Sequence, residues 1–378
     1  MLIWLLSAGN FVIGMGAFVV IGMLAPIAEG FGISTAQAGL VLTVFALAYA
    51  VCSPLGVAAT GAWSRRRVLS TGLGLFGVAA LLCALAPTPE ILFAGRALAA
   101  LGAGLFTPNA SAVAVSTSPS ERQGTALSNV LLGLTLAQVL GVPAGSVLAY
   151  AFGWQAGFLA VAVLAAPVLF GLWRLVPADL AFQPTEFSSL RTAMKDIRTL
   201  VAVLFATTFL AAIYVPYTYL GPLLTEKMGF EGGGVAMALL VFGSGAVAGN
   251  LIGGRLSDWI GAERMLLALA IAQILLLPLL SLLPLPAAAV FALIFVWSLC
   301  SWSFLAPQQA ILVRLAPERQ SVTLALNAAA IYVGAAAGSA IGAVALAQFG
   351  PGSLGMAGGA LGFVALGNVT LALRLARE

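Results

Sequence analysis

The sequence predicts an all-α membrane protein with twelve transmembrane helices, arranged as two six-helix bundles related by pseudo-two-fold symmetry. Of its 378 residues, 62% are hydrophobic and only 7% are charged, whereas a soluble domain carries about 25% charged residues. The apolar runs are long and continuous, which excludes a transmembrane barrel because barrel strands alternate every second residue. Twelve helices of about 20–25 residues each account for most of the chain.

Twelve apolar runs mark the predicted spans. They cover residues 2–25, 36–60, 68–86, 91–115, 124–150, 155–176, 199–224, 233–254, 265–283, 287–314, 321–347 and 353–374. The longest polar stretch, 177–198, separates the sixth run from the seventh. We therefore expect an N-terminal six-helix bundle over 1–176, a cytoplasmic linker over 177–198 and a C-terminal six-helix bundle over 199–378.

The distribution of basic residues predicts the orientation. If both chain ends face the cytoplasm, the outer loops hold only Lys227, and Arg96 lies inside the fourth span. The other fourteen basic residues then lie on the inner side: Arg65, Arg66, Arg67, Arg122, Arg174, Arg191, Lys195, Arg198, Arg255, Arg264, Arg314, Arg319, Arg374 and Arg377. Because cytoplasmic loops are enriched in Lys and Arg, we expect both termini in the cytoplasm.

The two halves resemble each other at an offset of 197 residues. The matching pairs are Glu121-Arg122-Gln123 with Glu318-Arg319-Gln320, Gly141 with Gly338, Gly145 with Gly342, Phe152-Gly153 with Phe349-Gly350, Gly56 with Gly253, and Arg67 with Arg264. Several matches at one offset indicate a duplicated six-helix unit. Transporters built from such parallel repeats hold their substrate at the repeat interface, near the middle of the membrane.

The composition also excludes several functional classes. The chain has no His, and Cys52, Cys83 and Cys300 form no C-x-x-C spacing, so we expect no metal site and no cofactor. Paired carboxylates, nucleophile triads and phosphate-binding loops are absent, so we expect no enzyme. We attribute the positive charges to the orientation of the chain in the membrane, and we expect no nucleic-acid partner.

Four stretches carry a family resemblance. They are Gly56-Val57-Ala58-Ala59-Thr60-Gly61-Ala62-Trp63-Ser64-Arg65-Arg66-Arg67; its repeat Gly253-Gly254-Arg255-Leu256-Ser257-Asp258-Trp259-Ile260-Gly261 with Arg264; Arg96-Ala97-Leu98-Ala99-Ala100-Leu101-Gly102-Ala103-Gly104; and Gly133 with Gly141-Val142-Pro143-Ala144-Gly145. In this order the chain resembles the major facilitator superfamily, and within it the drug and sugar efflux branch of the arabinose efflux permease type. The resemblance implies the twelve-helix fold of that family, transport by alternating access, and export driven by protons.

Two departures from the family pattern bear on coupling. The first half lacks the acid of the inner loop, since the 197-residue offset pairs Asp258 with Gly61, and Ala17 stands where this branch commonly carries a Glu. All twelve acids fall in loops or at predicted helix ends. Proton-coupled pumps use an intramembrane Asp, Glu or His, so both a proton antiporter and an uncoupled facilitator are open.

Arg96 is the first candidate for substrate binding. It is the single ionisable side chain of its kind within a predicted span, and such a charge must face a wet cavity or a polar partner. Thr107 lies eleven residues on, three turns along the same face. Arg96 either attracts an anionic or strongly hydrogen-bonding substrate, or it bonds backbone carbonyls and joins helices.

Amides and aromatic residues complete the candidate site. The amides within spans are Asn10, Asn109, Gln138, Gln308 and Asn327, and each must meet another helix, water or substrate. Trp297, Ser301, Phe304 and Gln308 recur at helical spacing, which predicts one face suited to a partly planar polar solute; a packed or lipid-facing stripe is the alternative.

Tyr214 and Tyr217 flank Pro216, where a missing N–H permits a kink. We assign both tyrosines to the cavity, with an interfacial aromatic belt as the alternative.

Six charged residues near the inner ends of the second and eighth spans form a predicted cytoplasmic gate: Arg65, Arg66, Arg67, Arg255, Asp258 and Arg264. An acid at a helix end can latch onto Arg through charge and the helix dipole. For the three consecutive arginines, topology and attraction to anionic lipids are the alternative.

Together these features predict a secondary transporter that exports a small neutral or anionic organic solute, such as a sugar, nucleoside, metabolite or drug. The alternatives are an uncoupled facilitator and a non-transporting membrane receptor. Its partners are the substrate, membrane lipids and, if coupled, protons. We expect a monomer in a bacterial inner membrane.

Overall fold

The computed structural model describes residues 1–119, 122–178, 180, 196–316 and 320–375, and these are helical with no strand. The helices are α1 (Leu2–Phe18), α2 (Leu24–Phe31), α3 (Thr35–Ala59), α4 (Arg65–Ala84), α5 (Pro89–Ser116), α6 (Gln123–Leu136), α7 (Val142–Phe152), α8 (Trp154–Leu175), α9 (Ile197–Thr218), α10 (Leu220–Met228), α11 (Gly232–Ile260), α12 (Ala262–Leu276), α13 (Ala287–Trp302), α14 (Leu305–Leu315), α15 (Gln320–Phe349) and α16 (Ser353–Leu375).

Twelve spans in the described part of the chain are long and apolar enough to cross a membrane. Eight are single helices or parts of them: α3, α4, α5, α8, α9, α11, α15 and α16. Two are pairs of joined helices, α6 with α7 and α13 with α14. In the other two, α1 and α12 continue into 3-10 turns at Val19–Gly22 and Leu277–Leu282. The predicted all-α membrane fold class is confirmed.

Local sequence explains where several helices begin. At the start of α3, the Ser34 amide donates to Gln37 Oε1 over 3.0 Å and the Gln37 amide donates back to Ser34 Oγ over 3.2 Å, a reciprocal capping arrangement. At α9, Asp196 accepts from the Arg198 amide over 3.2 Å. Each cap satisfies backbone donors that have no partner inside the helix.

The chain divides into two compact units. Unit 1 comprises Met1–Ile33 and Val44–Thr185, and unit 2 comprises Ser34–Thr43 and Glu186–Glu378. Within unit 1, α4 packs on α5 and α8, and α1 packs on α6; within unit 2, α9 packs on α15 and α16, and α11 packs on α13. Residues Ser34–Thr43, which include the first turns of α3, therefore belong to unit 2, whereas the rest of α3 belongs to unit 1.

The structure repeats at the same 197-residue offset as the sequence. Glycines with positive φ end equivalent elements: Gly32 (φ 64°) corresponds to Gly229 (φ 66°), and Gly153 (φ 91°) corresponds to Gly350 (φ 74°). The helices α2 and α10 also correspond within one residue at each end. Of the repeated triplets, Glu121, Glu318 and Arg319 lie outside the described residues.

Glycines line the contact between α15 and α9. A Cβ on Gly334 would lie 2.6 Å from the Thr207 carbonyl oxygen, and one on Gly342 would lie 2.8 Å from that of Val215. In unit 1, Gly133 lies directly against the Ser7 carbonyl of α1. Small residues at this spacing let helix backbones approach closely, so these contacts form tightly packed seams within each unit.

Candidate functional site

Arg96 of α5 joins α5 to the end of α1. Its side chain is 1% exposed; Nη1 donates to the Gly16 carbonyl over 2.6 Å and Nη2 donates to the Ala17 carbonyl over 2.7 Å. The guanidinium carbon lies 4.4 Å from the centre of the Phe45 ring. The guanidinium therefore lies between two backbone acceptors and an aromatic face.

The break in α1 explains this arrangement. The α-helix ends at Phe18 and the chain continues as a 3-10 turn, so the last carbonyls of α1 lack their usual donors. The C-terminal end of a helix also carries partial negative charge, which favours a cation. Arg96 supplies both donors and charge, which accords with its role in joining helices.

The structure places the other polar candidates of unit 1 at separate contacts. Asn10 Nδ2 donates to the Val130 carbonyl over 3.0 Å, and Asn109 Nδ2 donates to the Leu105 carbonyl over 2.8 Å. Thr107 Oγ1 is buried without a hydrogen-bond partner among the described residues. Gln138 is also buried.

Gln138 lies in a π-helical turn, Ala137–Gly141, between α6 and α7. Pro143 causes this turn, because it has no N–H to donate to the carbonyl four residues earlier. The Val142 N–H instead bonds the Ala137 carbonyl, five residues back. Such turns often occur at functional sites, and this one falls within the glycine-rich stretch that carries the efflux-branch resemblance.

In unit 2, four aromatic side chains from three helices form one cluster, which we call the aromatic cluster: Tyr214, Tyr217, Phe242 and Trp297. Tyr217 and Phe242 are stacked with ring centres 3.9 Å apart, and Trp297 stands edge-on to Phe242 at 5.1 Å. Tyr214 contacts Tyr217 edge-on at 5.5 Å. The structure thus brings together three predicted residues and adds Phe242 of α11, which sequence reasoning missed.

The stretch from Trp297 to Gln308 is divided between two helices, and the predicted common face stays a prediction. Helix α13 ends at Trp302 and α14 begins at Leu305, because Pro307 cannot donate to the Ser303 carbonyl and its ring crowds that turn. Phe304 contacts Phe209, with ring centres 5.2 Å apart. Among the described residues it forms no ring contact with a member of the aromatic cluster.

Gln308 belongs to a second polar contact, shared with Asn327. Gln308 Nε2 donates to the Ala202 carbonyl over 2.8 Å and to Asn327 Oδ1 over 3.2 Å. Both amides are buried. This contact joins α9, α14 and α15, and it is separate from Trp297.

The three consecutive arginines lie on a helix, not in the predicted loop, since α4 begins at Arg65. Arg65 Nη1 donates to Asn109 Oδ1 over 2.5 Å, which links a predicted gate residue to a predicted binding residue. The Arg65 amide donates to the Leu180 carbonyl over 2.8 Å, and Arg66 Nε donates to the Val176 carbonyl over 2.5 Å. These bonds attach the start of α4 to Val176, at the end of the sixth span, and to Leu180, in the first residues of the linker.

Arg67, next in the sequence, lies with its guanidinium carbon 5.9 Å from the centre of the Trp63 ring.

The remaining gate residues lie on the helices of unit 2. Arg255 and Asp258 are in the last two turns of α11, which extends beyond the predicted span, and Arg264 is in the first turn of α12. All three side chains are exposed. Within the described part of unit 2 none of them forms a hydrogen bond or ion pair, so the predicted gate stays a prediction.

One further buried contact was not predicted. Ser339 Oγ of α15 donates to the Gly39 carbonyl over 3.0 Å, and the Tyr219 hydroxyl donates to the Ser339 carbonyl over 2.9 Å. Gly39 leaves no room for a Cβ, which would overlap the Tyr219 hydroxyl. We call Gly39, Tyr219 and Ser339 the α3–α15 contact; it holds the first turns of α3 in unit 2.

No group of three or more potential metal ligands is present among the described residues. The buried polar groups of the described spans are amides, hydroxyls, indoles and two guanidiniums, those of Arg65 and Arg96. Their chemistry suits hydrogen bonding and ring stacking with an organic solute.

Comparison with known proteins identifies the family. The model of the Major Facilitator Superfamily matches residues 6–338. The chain is 34% identical over 351 residues to the chloramphenicol resistance protein of Streptomyces lividans, covering 91% of this chain and 88% of that protein. It is 27% identical over 356 residues to a probable sugar efflux transporter of Mannheimia succiniciproducens, covering 94% and 89%.

Among solved structures, the crystal structure of the nucleoside transporter NupG matches with a TM-score of 0.79 at 12% identity, covering 98% of both chains. At this identity the likeness concerns the fold alone. With the family match and twelve apolar spans, these findings make the protein an integral membrane protein whose relatives include drug-resistance and sugar-efflux proteins. The chain belongs to the major facilitator superfamily.

Proposed function

We propose that this protein exports a small neutral or anionic organic solute by alternating access. The observation that carries the proposal is the chemistry of the buried polar groups within the described spans, where amides, hydroxyls and aromatic rings accompany two guanidiniums, Arg65 and Arg96. A cationic solute would find no counter-charge among them. The relatives named for chloramphenicol resistance and sugar efflux support export of uncharged polar molecules.

The acids of the described residues lie at span ends or outside the spans. They are Glu29, Glu90, Asp196, Glu226, Glu231, Asp258 and Glu263. Because proton-coupled carriers load the proton on an acidic or His side chain inside the membrane, this observation favours a second candidate function, an uncoupled facilitator of the same fold.

One experiment separates the two candidates. The purified protein is reconstituted into liposomes, and uptake of radiolabelled chloramphenicol and arabinose is followed with and without an imposed pH gradient. Accumulation above the external concentration only with the gradient supports the proton antiporter. Equilibration to the external concentration in both conditions supports the facilitator, and no flux of any tested neutral or anionic solute contradicts the transport proposal.

We also propose a monomer in the bacterial inner membrane with both termini in the cytoplasm. The asymmetry of Lys and Arg between the inner and outer loops supports this orientation. Alkaline phosphatase is active only outside the cytoplasm, so a fusion to the C-terminus should be inactive, while a fusion after Lys227 should be active. The reverse pattern would contradict the orientation.

A further inference from the structure

The aromatic cluster contains a buried donor that the described structure leaves unpaired. The Trp297 side chain is 0% exposed, and its Nε1 has no hydrogen-bond partner among the described residues. An indole nitrogen can only donate, and buried donors are almost always paired. A missing acceptor at this position points to a ligand.

The rings around Trp297 form flat apolar surfaces. Trp297 stands at 70° to Phe242 and at 77° to Tyr217, while Tyr217 and Phe242 are stacked with an interplanar angle of 13°. An aromatic face is only a weak acceptor for an N–H group. A solute with its own ring could replace one ring of this packing and present a stronger acceptor to the indole.

Backbone contacts fix the position of Trp297 relative to Phe242. Ser298 Oγ donates to the Phe242 carbonyl over 2.5 Å, and a Cβ on Gly245 would lie 2.6 Å from the Phe295 carbonyl oxygen. Helices α11 and α13 are therefore in close contact at two points near Phe242 and Trp297. A donor held in this way is preorganised for one acceptor position.

The neighbouring sequence indicates that the acceptor is uncharged. The helical stretches that carry the cluster, 205–218, 235–250 and 290–303, contain no charged residue. A carboxylate ligand would have to be buried here without a counter-charge, which is costly. A carbonyl, amide or nitro oxygen avoids that cost.

We propose that Trp297 is a specificity-determining residue that donates a hydrogen bond to a neutral aromatic solute bearing a carbonyl, amide or nitro oxygen, with Tyr217 and Phe242 contacting the ring of that solute. This inference rests on the proposed transport function and narrows its substrate class. The cluster is closed in this structure, and the solute enters by displacing a ring–ring contact, which a ring–solute contact of similar strength replaces.

The test uses the purified full-length protein in lipid nanodiscs and ligand pairs that differ in the acceptor. Binding is measured by calorimetry for chloramphenicol, for nitrobenzene and acetophenone, and for their acceptor-free counterpart, ethylbenzene. Wild-type protein should bind the best acceptor-bearing compound at least about tenfold more tightly than ethylbenzene, which equals about 1.4 kcal/mol. Equal binding of the two kinds of compound, or binding of neither, would overturn the inference without any variant being made.

The matched variants are Trp297→Phe and Trp302→Phe. Both remove an indole N–H of α13 that has no partner among the described residues, but only Trp297 belongs to the aromatic cluster. We expect Trp297→Phe to abolish the tenfold preference and Trp302→Phe to retain it. Preservation of the preference in Trp297→Phe contradicts the inference.

A further variant and the transport assay distinguish failure of the Trp297 assignment from failure of the transport proposal. Phe242→Leu should weaken binding of acceptor-bearing and acceptor-free aromatic compounds alike by about tenfold, because it removes a ring contact and leaves the indole donor in place. If arabinose is transported but acceptor-bearing aromatics show no preference, the assignment of Trp297 fails and the transport proposal stands. If no solute is transported, the transport proposal itself fails.

Discussion

At the scale of single residues, the contacts of Arg96 favour the interpretation in which this side chain joins helices. It forms two short bonds to the end of α1, and a lysine could not reproduce this planar fork. We expect Arg96→Lys to lower the free energy of unfolding by about 1.5–3 kcal/mol, the value of one hydrogen bond to a charged group. Thermal unfolding of the purified protein in detergent measures the loss.

The same variant tests whether Arg96 also binds substrate. If Arg96 only joins α5 to α1, the folded fraction of Arg96→Lys should transport with a KM within about twofold of the wild-type value, since uniform binding is then intact. A KM raised about tenfold with unchanged thermal stability would contradict the structural role and support direct substrate binding. Arg174→Lys, on the exposed end of α8, is the control for loss of a guanidinium.

Sequence reasoning found polar residues more readily than apolar ones. Asn10 and Gln308 stood out because amides are unusual inside apolar runs, and Trp297 because of its helical spacing to Gln308; all three are buried at helix contacts. Phe242 was missed because a phenylalanine in an apolar run offers no contrast with its neighbours. Gly39 and Ser339 were missed because their contact joins residues 300 positions apart, which no local pattern reveals.

At the scale of helices, the glycine seams make a quantitative prediction. A Cβ on Gly338 would meet the Ala211 carbonyl and would lie 2.8 Å from the Tyr214 Cβ, so α15 would have to move away from α9. We expect Gly338→Ala to lower the free energy of unfolding by about 1–3 kcal/mol, as overpacking does. Unfolding in mixed micelles measures this change.

Gly367 of α16 provides the matched control, since a Cβ there would meet nothing within 4 Å. Gly367→Ala removes a flexible residue from a helix without a clash, so it should stabilise the protein by about 0.4–1 kcal/mol. Equal effects of the two substitutions would show that the seam between α15 and α9 tolerates a methyl group.

The α3–α15 contact also yields a prediction. Gly39→Val places side-chain atoms where the Tyr219 hydroxyl lies, so the first turns of α3 should detach from α15. We expect a cysteine introduced as Ala36→Cys to react with a maleimide at least about tenfold faster in Gly39→Val than alone, because local opening governs the reactivity of buried sites. An unchanged rate would show that these turns stay packed without the contact.

The helices themselves were predicted better than their interruptions. Span positions follow from apolar runs, which is why α5 and α15 fall within a few residues of expectation. The π-helical turn at Ala137–Gly141 and the break before Leu305 depend on which of several backbone responses a proline elicits. Packing determines which response occurs. Pro143 and Pro307 therefore indicated that the helix would be interrupted, but not the form of the interruption.

At the scale of the whole molecule, the duplication is expressed in the backbone as well as in the sequence. Gly32 and Gly229 lie 197 positions apart and end α2 and α10 in the same left-handed conformation, with φ 64° and 66°. Neither was among the sequence matches used to detect the repeat. Their agreement indicates that the two halves conserve a turn geometry, and the shared glycine is what that geometry requires.

This equivalence predicts that substitutions of the two glycines lower the free energy of unfolding by equal and additive amounts. A Cβ would meet nothing within 4 Å at either glycine, so Gly32→Ala and Gly229→Ala change only the backbone preference, and each should lower the free energy of unfolding by about 1 kcal/mol. The sites lie in different units, so the double variant should lose about the sum, within about 0.5 kcal/mol. Gly233→Ala, which is also free of clashes but has no positive φ, should not destabilise the protein. Unfolding in mixed micelles compares the four proteins with wild type, and a clearly unequal pair would mean that the two turns do not carry equal strain, so that the repeat does not extend to their energetics.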